Sequence, residues 1–324
     1  MNQLNLINRR AFLQRSAALT AAMALGSTLG QAAATTPDVK AIDTHTHFYD
    51  PKRPQGVPWP SPNDKTLYRT VLPSEFVELS ARHGVVGTVI VEASAWLEDN
   101  QWILDLAKDN PIIVGFVGNL PAGTPEFAGH LKRLGANPLF RGIRLNSGAV
   151  AKGLGQAAFE SDLKRLGDGG FSLDLLGGVS MLPDAVRVAK LAPNLRIVID
   201  HLPFKDWDRN PAAMLRGLND VAACPNIHAK VSEVVRRADG KVVEDAAFYR
   251  PGLDALWELF GPDRVIYGSN WPVSNLVVPY ANVYQVVADY LRTKSRETAE
   301  KYFWRNSLAF YRWQPRGLAA GLLK

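Results

Sequence analysis

Eight short apolar segments recur along the chain, and this repetition constrains the fold more than any other feature of the sequence. The segments are rich in Val and Ile and are mostly continuous, which is typical of parallel strands covered on both faces. Their starts lie 24 to 46 residues apart, which suits a strand, a helix and the loops that join them. The predicted strands span residues 39–43, 85–92, 112–117, 140–145, 171–175, 195–200, 227–232 and 264–268.

Amphipathic segments typical of helices lie between these strands. Several of them begin with Pro, which suits the first turn of a helix. The predicted helices begin at residue 73 and span residues 183–191, 211–223, 251–260, 281–291 and 297–311. Eight successive strand–helix units predict an α/β fold, a single-domain (β/α)8 TIM barrel. The alternative is an open doubly wound sheet, but no Gly-x-Gly-x-x-Gly follows the first strand.

The composition indicates an ordinary globular protein. Of the 324 residues, 47% are hydrophobic and 21% are charged, which excludes disordered and collagen-like classes. Cys224 is the single cysteine, so no disulfide can form within the chain. The net charge of +6 suggests an acidic partner, yet the basic residues form no long run. No nucleic-acid-binding module is recognisable, and we therefore expect no nucleic acid as a partner.

Residues 1–34 are typical of a secretory signal. Arg9 and Arg10 precede Phe12 and a mildly apolar stretch, and Ala32 and Ala34 have the spacing of a cleavage site. The Arg-Arg-x-Phe-Leu pattern resembles a twin-arginine signal, although an ordinary N-terminus is the alternative. Cleavage would remove three basic residues and no acid, which halves the net charge. The sequence thus predicts a mature barrel of residues 35–324, periplasmic or secreted, with the twin-arginine export machinery as partner and no stable membrane anchor.

Polar residues collect at the predicted carboxyl ends of the strands, where a barrel carries its active site. Asp43, His45 and His47 share one face of the first strand, because residues two apart point the same way. His201 ends the sixth strand. Histidines in this arrangement suit a divalent metal or the stabilisation of an oxyanion. Further polar residues at strand ends are Glu92, Arg144, Lys230 and Asn270, and Trp271 follows the last of them.

Two connections after strands are unusually long, at residues 48–72 and 233–249. The first contains five prolines together with Trp59 and Tyr68. Long loops on this face of a barrel often act as lids over the active site. Plain surface decoration is the alternative interpretation.

Three blocks of sequence carry a family resemblance. They are residues 42–47 (Ile-Asp-Thr-His-Thr-His), 198–201 (Val-Ile-Asp-His) and 263–273, which contains Gly-Ser-Asn-Trp-Pro. Together they resemble the amidohydrolase-related TIM-barrel hydrolases, in particular the branch with sugar-lactone and dicarboxylate lactonases. The resemblance extends over residues 39–315. It implies that the protein is a hydrolase whose partner is a small-molecule substrate, a cyclic ester.

The resemblance also implies roles for residues of this chain. His45, His47 and His201 would line the site with Asn270. They would either bind one divalent metal, Zn or Mn, or polarise the substrate carbonyl without a metal. The residues expected to contact substrate are Tyr49, Glu92, Arg144, Lys230 and Trp271, with Arg144 on a carboxylate or oxygen of the substrate.

Asn270 departs from the family pattern, which usually has Asp at this position. An amide cannot take a proton near neutral pH, so another group must activate water if the reaction is hydrolysis. The alternatives are Asp43, Glu92, Glu233, a neutral histidine, and Asp200. A regular strand would direct Asp200 away from His201.

Three functional hypotheses follow. The first is a lactonase that opens the lactone of a sugar acid or small carboxylate. The second is a lactone isomerase, which does not need the missing Asp. The third, from another class, is an exported binding protein with a barrel that has no catalytic activity. Other amidohydrolase chemistry, such as decarboxylation, is a further alternative.

Overall fold

The structure is a computed structural model that describes residues 39–203, 207 and 211–324. Eight parallel strands follow one another in sequence order around one sheet, which confirms the predicted (β/α)8 barrel. The strands are Ala41–Thr46 (β1), Val85–Val91 (β2), Ile113–Gly118 (β3), Phe140–Asn146 (β4), Ser172–Leu176 (β5), Arg196–Ile199 (β6), Ile227–Val231 (β7) and Val265–Tyr267 (β8).

The barrel closes between β1 and β8 through residues that follow the two strands. Asn270 N donates to His45 O at 2.8 Å, and His47 N donates to Trp271 O at 2.9 Å. A parallel bridge between Thr46 and Trp271 lies at the same point. The segment with the histidines is therefore bonded directly to the segment with Asn270.

Helices pack around the outside of the strands. Their bounds are Pro73–Ser80 (α1), Asp99–Asp109 (α2), Phe127–Gly135 (α3), Ser147–Gly153 (α4), Ala157–Asp168 (α5), Leu182–Leu191 (α6), Pro211–Ala222 (α7), Ala246–Phe260 (α8), Tyr280–Leu291 (α9), Arg296–Glu300 (α10) and Asn306–Tyr311 (α11). A π-helical turn, Lys301–Arg305, joins the last two.

The helix α8 begins five residues before the predicted start at Pro251. Asp245 explains the difference, because its side chain accepts a hydrogen bond from Ala247 N at 2.8 Å and caps the first turn. Pro251 consequently lies inside the helix. The helix therefore begins at the residue that follows the capping Asp245 and not at Pro251.

The interior of the barrel is a packed core. Every residue of β1, β2 and β3 is buried, since helices cover one face and side chains fill the other. Polar groups inside bond to each other: Thr88 Oγ1 lies 2.7 Å from Thr46 Oγ1 and donates to Asp43 O at 2.8 Å. Room for a ligand therefore lies at the carboxyl ends of the strands.

The proline-rich loop, residues 48–72, is anchored at both its base and its middle. Two backbone hydrogen bonds join Tyr49 and Val71 at 3.1 and 2.9 Å. Farther along, Arg53 donates two hydrogen bonds to the Asp99 carboxylate of α2, at 2.8 and 3.1 Å, and its guanidinium lies over the Trp102 ring. The loop is thereby held against the barrel mouth.

The second long loop contains a small hairpin that the sequence did not indicate. Its strands are Arg237–Ala238 and Lys241–Val242. Asp239 and Gly240 between them both have positive φ, 49° and 76°, which suits a two-residue hairpin turn. Strands of two residues are too short to leave a recognisable apolar pattern.

The predicted signal at residues 1–34 lies outside the described residues. Within the residues that are described, no helix has the length and apolar character needed to cross a membrane.

Candidate active site

A cavity of about 370 Å³, here called the histidine cavity, opens at the carboxyl ends of the strands. This volume lies within the range of small-molecule sites and accommodates a sugar ring. The residues that line it come from several strand ends and from the proline-rich loop: His47, Trp59, Ala93, Arg144, Leu176, His201, Glu233, Asn270 and Val273.

Three successive strand ends place a strained residue at this cavity. His201, Glu233 and Asn270 follow β6, β7 and β8, and their φ values are 64°, 53° and 63°. Such left-handed backbone costs on the order of 1–3 kcal/mol in a residue other than glycine, and it clusters at functional sites. All three side chains line the histidine cavity as a result.

The three predicted histidines come together. The His45 ring centroid lies 5.1 Å from that of His47 and 4.7 Å from that of His201. Burial lowers the pKa of His47 to about 3, and lowers those of His45 and His201 below the usual value. The rings are therefore neutral near pH 7 and can act as metal ligands or as hydrogen-bonding groups.

His47 is fixed by its two neighbours. Its Nδ1 lies 2.8 Å from Val91 O, a pure acceptor, so the ring hydrogen is on Nδ1. Its Nε2, 3.1 Å from Asn270 Oδ1, then carries the lone pair. An Asn amide that turns by 180° offers its NH2 group to this lone pair, whereas a carboxylate would require a proton on the ring. Burial and then the Arg144 charge keep the pKa of His47 low, while the contact with Asn270 orients the ring.

Ser232 and Glu233 hold His201. Ser232 Oγ accepts from His201 N at 3.1 Å and lies 2.9 Å from His201 Nδ1. A Glu233 carboxylate oxygen lies 3.7 Å from the same ring nitrogen. If the Ser232 hydroxyl donates to Nδ1, the ring hydrogen is on Nε2, where it is available to a ligand.

Lys230 lies beneath the histidines and is not a lining residue of the cavity. Its fully buried ammonium lies 2.5 Å from Asp174 Oδ2 and 2.9 Å from Asp200 Oδ1. Tyr311 donates to Asp174 Oδ2 at 2.8 Å. Burial opposes the charge of Lys230, but the two carboxylates outweigh it and hold the pKa of Lys230 above its usual value. The structure therefore gives Lys230 a positioning role where the sequence indicated substrate contact.

Asp200 and His201 both lie against His45, whereas a regular strand would direct them to opposite faces. The strand β6 ends at Ile199, and the left-handed backbone of His201 breaks the alternation. Asp200 Oδ1 lies 3.5 Å from His45 Nδ1. Burial alone would raise the pKa of Asp200, but Lys230 and then His45 outweigh it and hold this pKa well below the usual value.

Arg144 and Glu92 form one unit at the opposite wall. Arg144 Nε donates to Glu92 Oε1 at 2.9 Å, and Nη2 donates to Glu92 O at 2.6 Å. Nη1 makes no hydrogen bond within the part of the chain that the structure describes, and Arg144 lines the cavity. Glu92 therefore fixes the guanidinium, which keeps a donor for substrate.

Trp271 and Tyr49, both predicted to contact substrate, lie outside the lining of the histidine cavity, as Lys230 and Glu92 do. Trp271 is 1% exposed, with its ring centroid 5.5 Å from that of Phe76 in the core. Tyr49 is buried, and its hydroxyl donates to Leu67 O at 2.8 Å. Tyr49 instead supports Trp59, whose ring lies 5.4 Å away and 6.1 Å from His47.

Trp59 is the main lining residue that the sequence argument did not single out. The density of prolines around it was the available signal, because such a loop holds a fixed shape over the barrel mouth.

Asp43, one of the candidate bases, is tied into barrel closure. Its Oδ1 accepts from Ser269 N at 2.9 Å and from His45 N at 3.1 Å. Burial raises its pKa to about 6 although these bonds oppose the shift. It lies in the core below the cavity, whereas Glu233 is a lining residue.

The residues present suit a divalent cation. Ligand atoms of His45, Asp200 and His201 all lie within 4.8 Å of one another. His45 Nε2 and Asp200 Oδ2 are buried and have no hydrogen-bond partner in the described residues. Two imidazoles and a carboxylate are ligands that Zn and Mn accept. His47, predicted as a third ligand, is not part of this group, and Asp200 takes its place.

The comparisons with known proteins agree with this geometry. Residues 42–313 match the sequence profile of a family described as Amidohydrolase. An L-fucono-1,5-lactonase of Burkholderia ambifaria is 30% identical over 243 residues, 72% of this chain and 81% of that protein. An L-fucono-1,5-lactonase of Burkholderia multivorans is 26% identical over 279 residues, 83% of this chain and 94% of that protein.

A solved structure shares the fold over its whole length. It is a crystal structure of an amidohydrolase from Burkholderia multivorans with bound HEPES, with a TM-score of 0.76 and 25% identity. The match covers 85% of this chain and 100% of that one. The region matched by the family profile includes the whole histidine cavity. This chain belongs to the amidohydrolase family.

Proposed function

We propose that this protein is a hydrolase that opens the ring of a sugar-acid lactone. The observation that carries the proposal is the group of three neutral histidines, of which His47 and His201 line one cavity of sugar-ring size and His45 is buried beside them. Arg144, on the opposite wall, supplies a fixed donor for a substrate oxygen or carboxylate. The similarity to proteins named L-fucono-1,5-lactonase supports the substrate class.

Lactone hydrolysis needs a polarised carbonyl and an activated water. Water oxygen bonds to the carbonyl carbon, and the bond between that carbon and the ring oxygen then breaks. The ring oxygen takes a proton and leaves as a hydroxyl, and the new carboxyl group releases its proton to solvent. His201 Nε2–H is a suitable donor to the carbonyl oxygen, where negative charge develops.

Glu233 is the base that we propose for this reaction. Asn270 cannot accept a proton from water, and Glu92 is already paired with Arg144. Glu233 lines the cavity, its side chain is 37% exposed, and its carboxylate lies beside His201. Asn270 retains a different task, since its amide contacts His47 Nε2 and can orient water.

His45, Asp200 and His201 are the residues that would hold a metal ion. When bound there, a divalent cation supplies Lewis acidity to the carbonyl oxygen. Lys230 keeps Asp200 ionised and oriented toward His45, with or without a metal. Metal analysis of the purified protein, paired with activity after chelation, separates the two modes.

Product analysis by NMR tests the proposal. A panel of aldonolactones incubated with the protein should yield the open-chain acid faster than the uncatalysed reaction. A new lactone ring without acid would support the isomerase hypothesis, and ligand-induced stabilisation without turnover would support an idle barrel. The comparisons lend no support to either alternative.

We also propose that residues 1–34 direct export through the twin-arginine machinery, on the basis of the Arg9–Arg10 pair and the apolar stretch behind it. A double variant, Arg9→Lys with Arg10→Lys, should leave the precursor in the cytoplasm. Unchanged periplasmic accumulation of this variant would contradict the proposal.

A further inference from the structure

A second cavity adjoins the histidine cavity at Arg144. Its volume is about 440 Å³, and Arg144 and Leu176 line both cavities. The second cavity lies over the ends of β3 and β4 and extends to α4 and the start of α5. A ligand could therefore continue from the histidines past the guanidinium of Arg144 into this space.

Three side-chain amides line the second cavity, and in each of them one of the two polar atoms contacts the backbone. Asn146 Oδ1 accepts from Ala149 N at 2.9 Å, and Gln156 Nε2 donates to Lys152 O at 2.7 Å. Asn119 Nδ2 lies 3.5 Å from a backbone carbonyl, Ser94 O. In the described part of the chain, Asn146 Nδ2, Gln156 Oε1 and Asn119 Oδ1 have no hydrogen-bond partner, and since Asn146 and Gln156 are exposed, these atoms are open to water or to a ligand.

The remaining polar atom of each amide is available to a ligand, and together these atoms include hydrogen-bond donors and acceptors. One is an NH2 donor and two are carbonyl acceptors, and each is oriented by the bond that its other half makes. Orientation in advance reduces the entropy that binding must overcome. Hydroxyl groups both donate and accept, so a polyhydroxylated ligand satisfies such a set better than an anion does.

The charged groups of this cavity are one ion pair and one lysine at its exposed edge. Arg144 is neutralised by Glu92, which lines the same cavity. Lys152 lies at the exposed rim and makes no ion pair among the described residues. Leu120 and Phe159 add apolar wall, which suits the C–H faces of a sugar ring.

We propose that the second cavity is a subsite for a further hydroxylated ring attached to the lactone. The substrate would then be the lactone of a disaccharide acid, with its lactone ring at the histidines and its second ring beyond Arg144. This inference rests on the proposed lactonase function. Its failure can nevertheless be told apart from failure of that function, because the shorter lactone tests the function by itself.

The test compares a monosaccharide lactone with glycosylated counterparts. D-glucono-1,5-lactone is assayed beside cellobiono- and maltobiono-1,5-lactone, which carry the second ring in opposite anomeric configurations. Two variants alter the second cavity: Ala149→Trp fills it, and Gln156→Ala removes one acceptor. The matched control is Ala128→Trp on α3, also half-buried, in a cavity away from the histidines.

We expect kcat/KM for at least one disaccharide lactone to exceed that for gluconolactone about tenfold, which corresponds to one or two good hydrogen bonds. Ala149→Trp should abolish this preference while gluconolactone hydrolysis stays within about twofold. Gln156→Ala should weaken the preference about threefold, and Ala128→Trp should not change it. Titration calorimetry with cellobionate and gluconate should show the same order of affinity without turnover.

Two other outcomes overturn the inference. Hydrolysis of monosaccharide lactones with no preference for the longer ones, and no tighter binding of cellobionate, would remove the subsite but leave the lactonase function. Absence of hydrolysis of any lactone, long or short, by the folded protein would remove the lactonase function and with it this inference.

Discussion

Two adjacent layers of the barrel both contain buried polar side chains, but each of these side chains is paired in one layer and only some are paired in the other. The ionic layer consists of Lys230, Asp174 and Tyr311, and its charged groups face one another in the fully buried core. The histidine layer above it consists of His45, His47 and His201. There His45 Nε2 has no hydrogen-bond partner among the described residues. Asp200 connects the two layers.

This difference separates a structural role from a chemical one. A buried charge without a partner costs several kcal/mol, so the ionic layer must stay complete for the barrel to remain stable. Polar atoms without a hydrogen bond are tolerated in the histidine layer, because a ligand or substrate can bond to them there. The strained strand ends lie in the upper layer, which fits the same division.

The largest expected effect on stability comes from the ionic layer. Lys230→Met leaves Asp174 and Asp200 buried together without a counter-charge, which should cost about 3–5 kcal/mol of unfolding free energy. Urea denaturation followed by circular dichroism measures it. The control is Lys294→Met, whose half-exposed pair with Asp254 should contribute less than about 1 kcal/mol. Equal losses in the two variants would contradict the division between layers.

The largest expected effect on activity comes from the histidine layer. His201→Ala should lower kcat/KM for a hydrolysed lactone about 10²–10⁴-fold, because the carbonyl loses its donor. Alanine retains the strain of the left-handed backbone, which only glycine would relieve, so the free energy of unfolding should fall by about 1–2 kcal/mol through the lost ring contacts alone. His130→Ala on α3 is the matched control and should leave activity unchanged. A fully active His201→Ala protein would contradict this assignment.

Much of the fold could be predicted from the sequence. All eight barrel strands lie within two or three residues of their predicted bounds, because buried parallel strands leave continuous Val and Ile runs. The start of α8 was missed where a cap at Asp245 outweighed a Pro signal. The hairpin around Gly240 was missed because its strands are too short to show a pattern.

The site was predicted less completely. Strand-end position brought His45, His47, His201 and Arg144 together correctly, since parallel strands end on one rim. That Asp200 and His201 face the same side depended on positive φ at His201, a backbone feature that residue type does not reveal. The depth of Lys230 was equally hidden, because strand periodicity gives the face of a side chain but not its level in the barrel.

A smaller effect is expected at the opposite wall of the histidine cavity. Arg144→Lys keeps the charge but loses the paired contact with Glu92 and the free Nη1 donor. We expect KM to rise about tenfold with a smaller change in kcat, because binding of the substrate oxygen is what weakens. Steady-state kinetics on one lactone measures both constants. A fall in kcat alone would instead place Arg144 in the chemical step.

The smallest effect concerns pH. Burial lowers the pKa of folded His47 to about 3, while the unfolded chain keeps the usual value near 6.5. Below pH 6.5 the unfolded state binds a proton that the folded state does not, so stability falls as pH falls. His47→Gln removes this contribution. Between pH 7 and pH 5, its free energy of unfolding should therefore fall by about 2 kcal/mol less than that of the wild type.

His228→Gln is the control for this pH effect. Burial lowers the pKa of His228 to about 4, and the residue lies in β7, outside the lining of the histidine cavity. We expect His228→Gln to reduce the pH dependence of the free energy of unfolding by a similar amount and to retain lactone hydrolysis. An unaltered pH dependence in His47→Gln would show that His47 is charged in the folded protein.

The most direct test of the central claim is acid release from aldonolactones, followed at constant pH for the wild type and for a His45→Ala, His201→Ala double variant of matched fold. The account predicts acid release well above the uncatalysed rate for at least one lactone, and its loss in the double variant. No release above background across the panel, with or without added zinc or manganese, would contradict the account, as would full activity in the double variant.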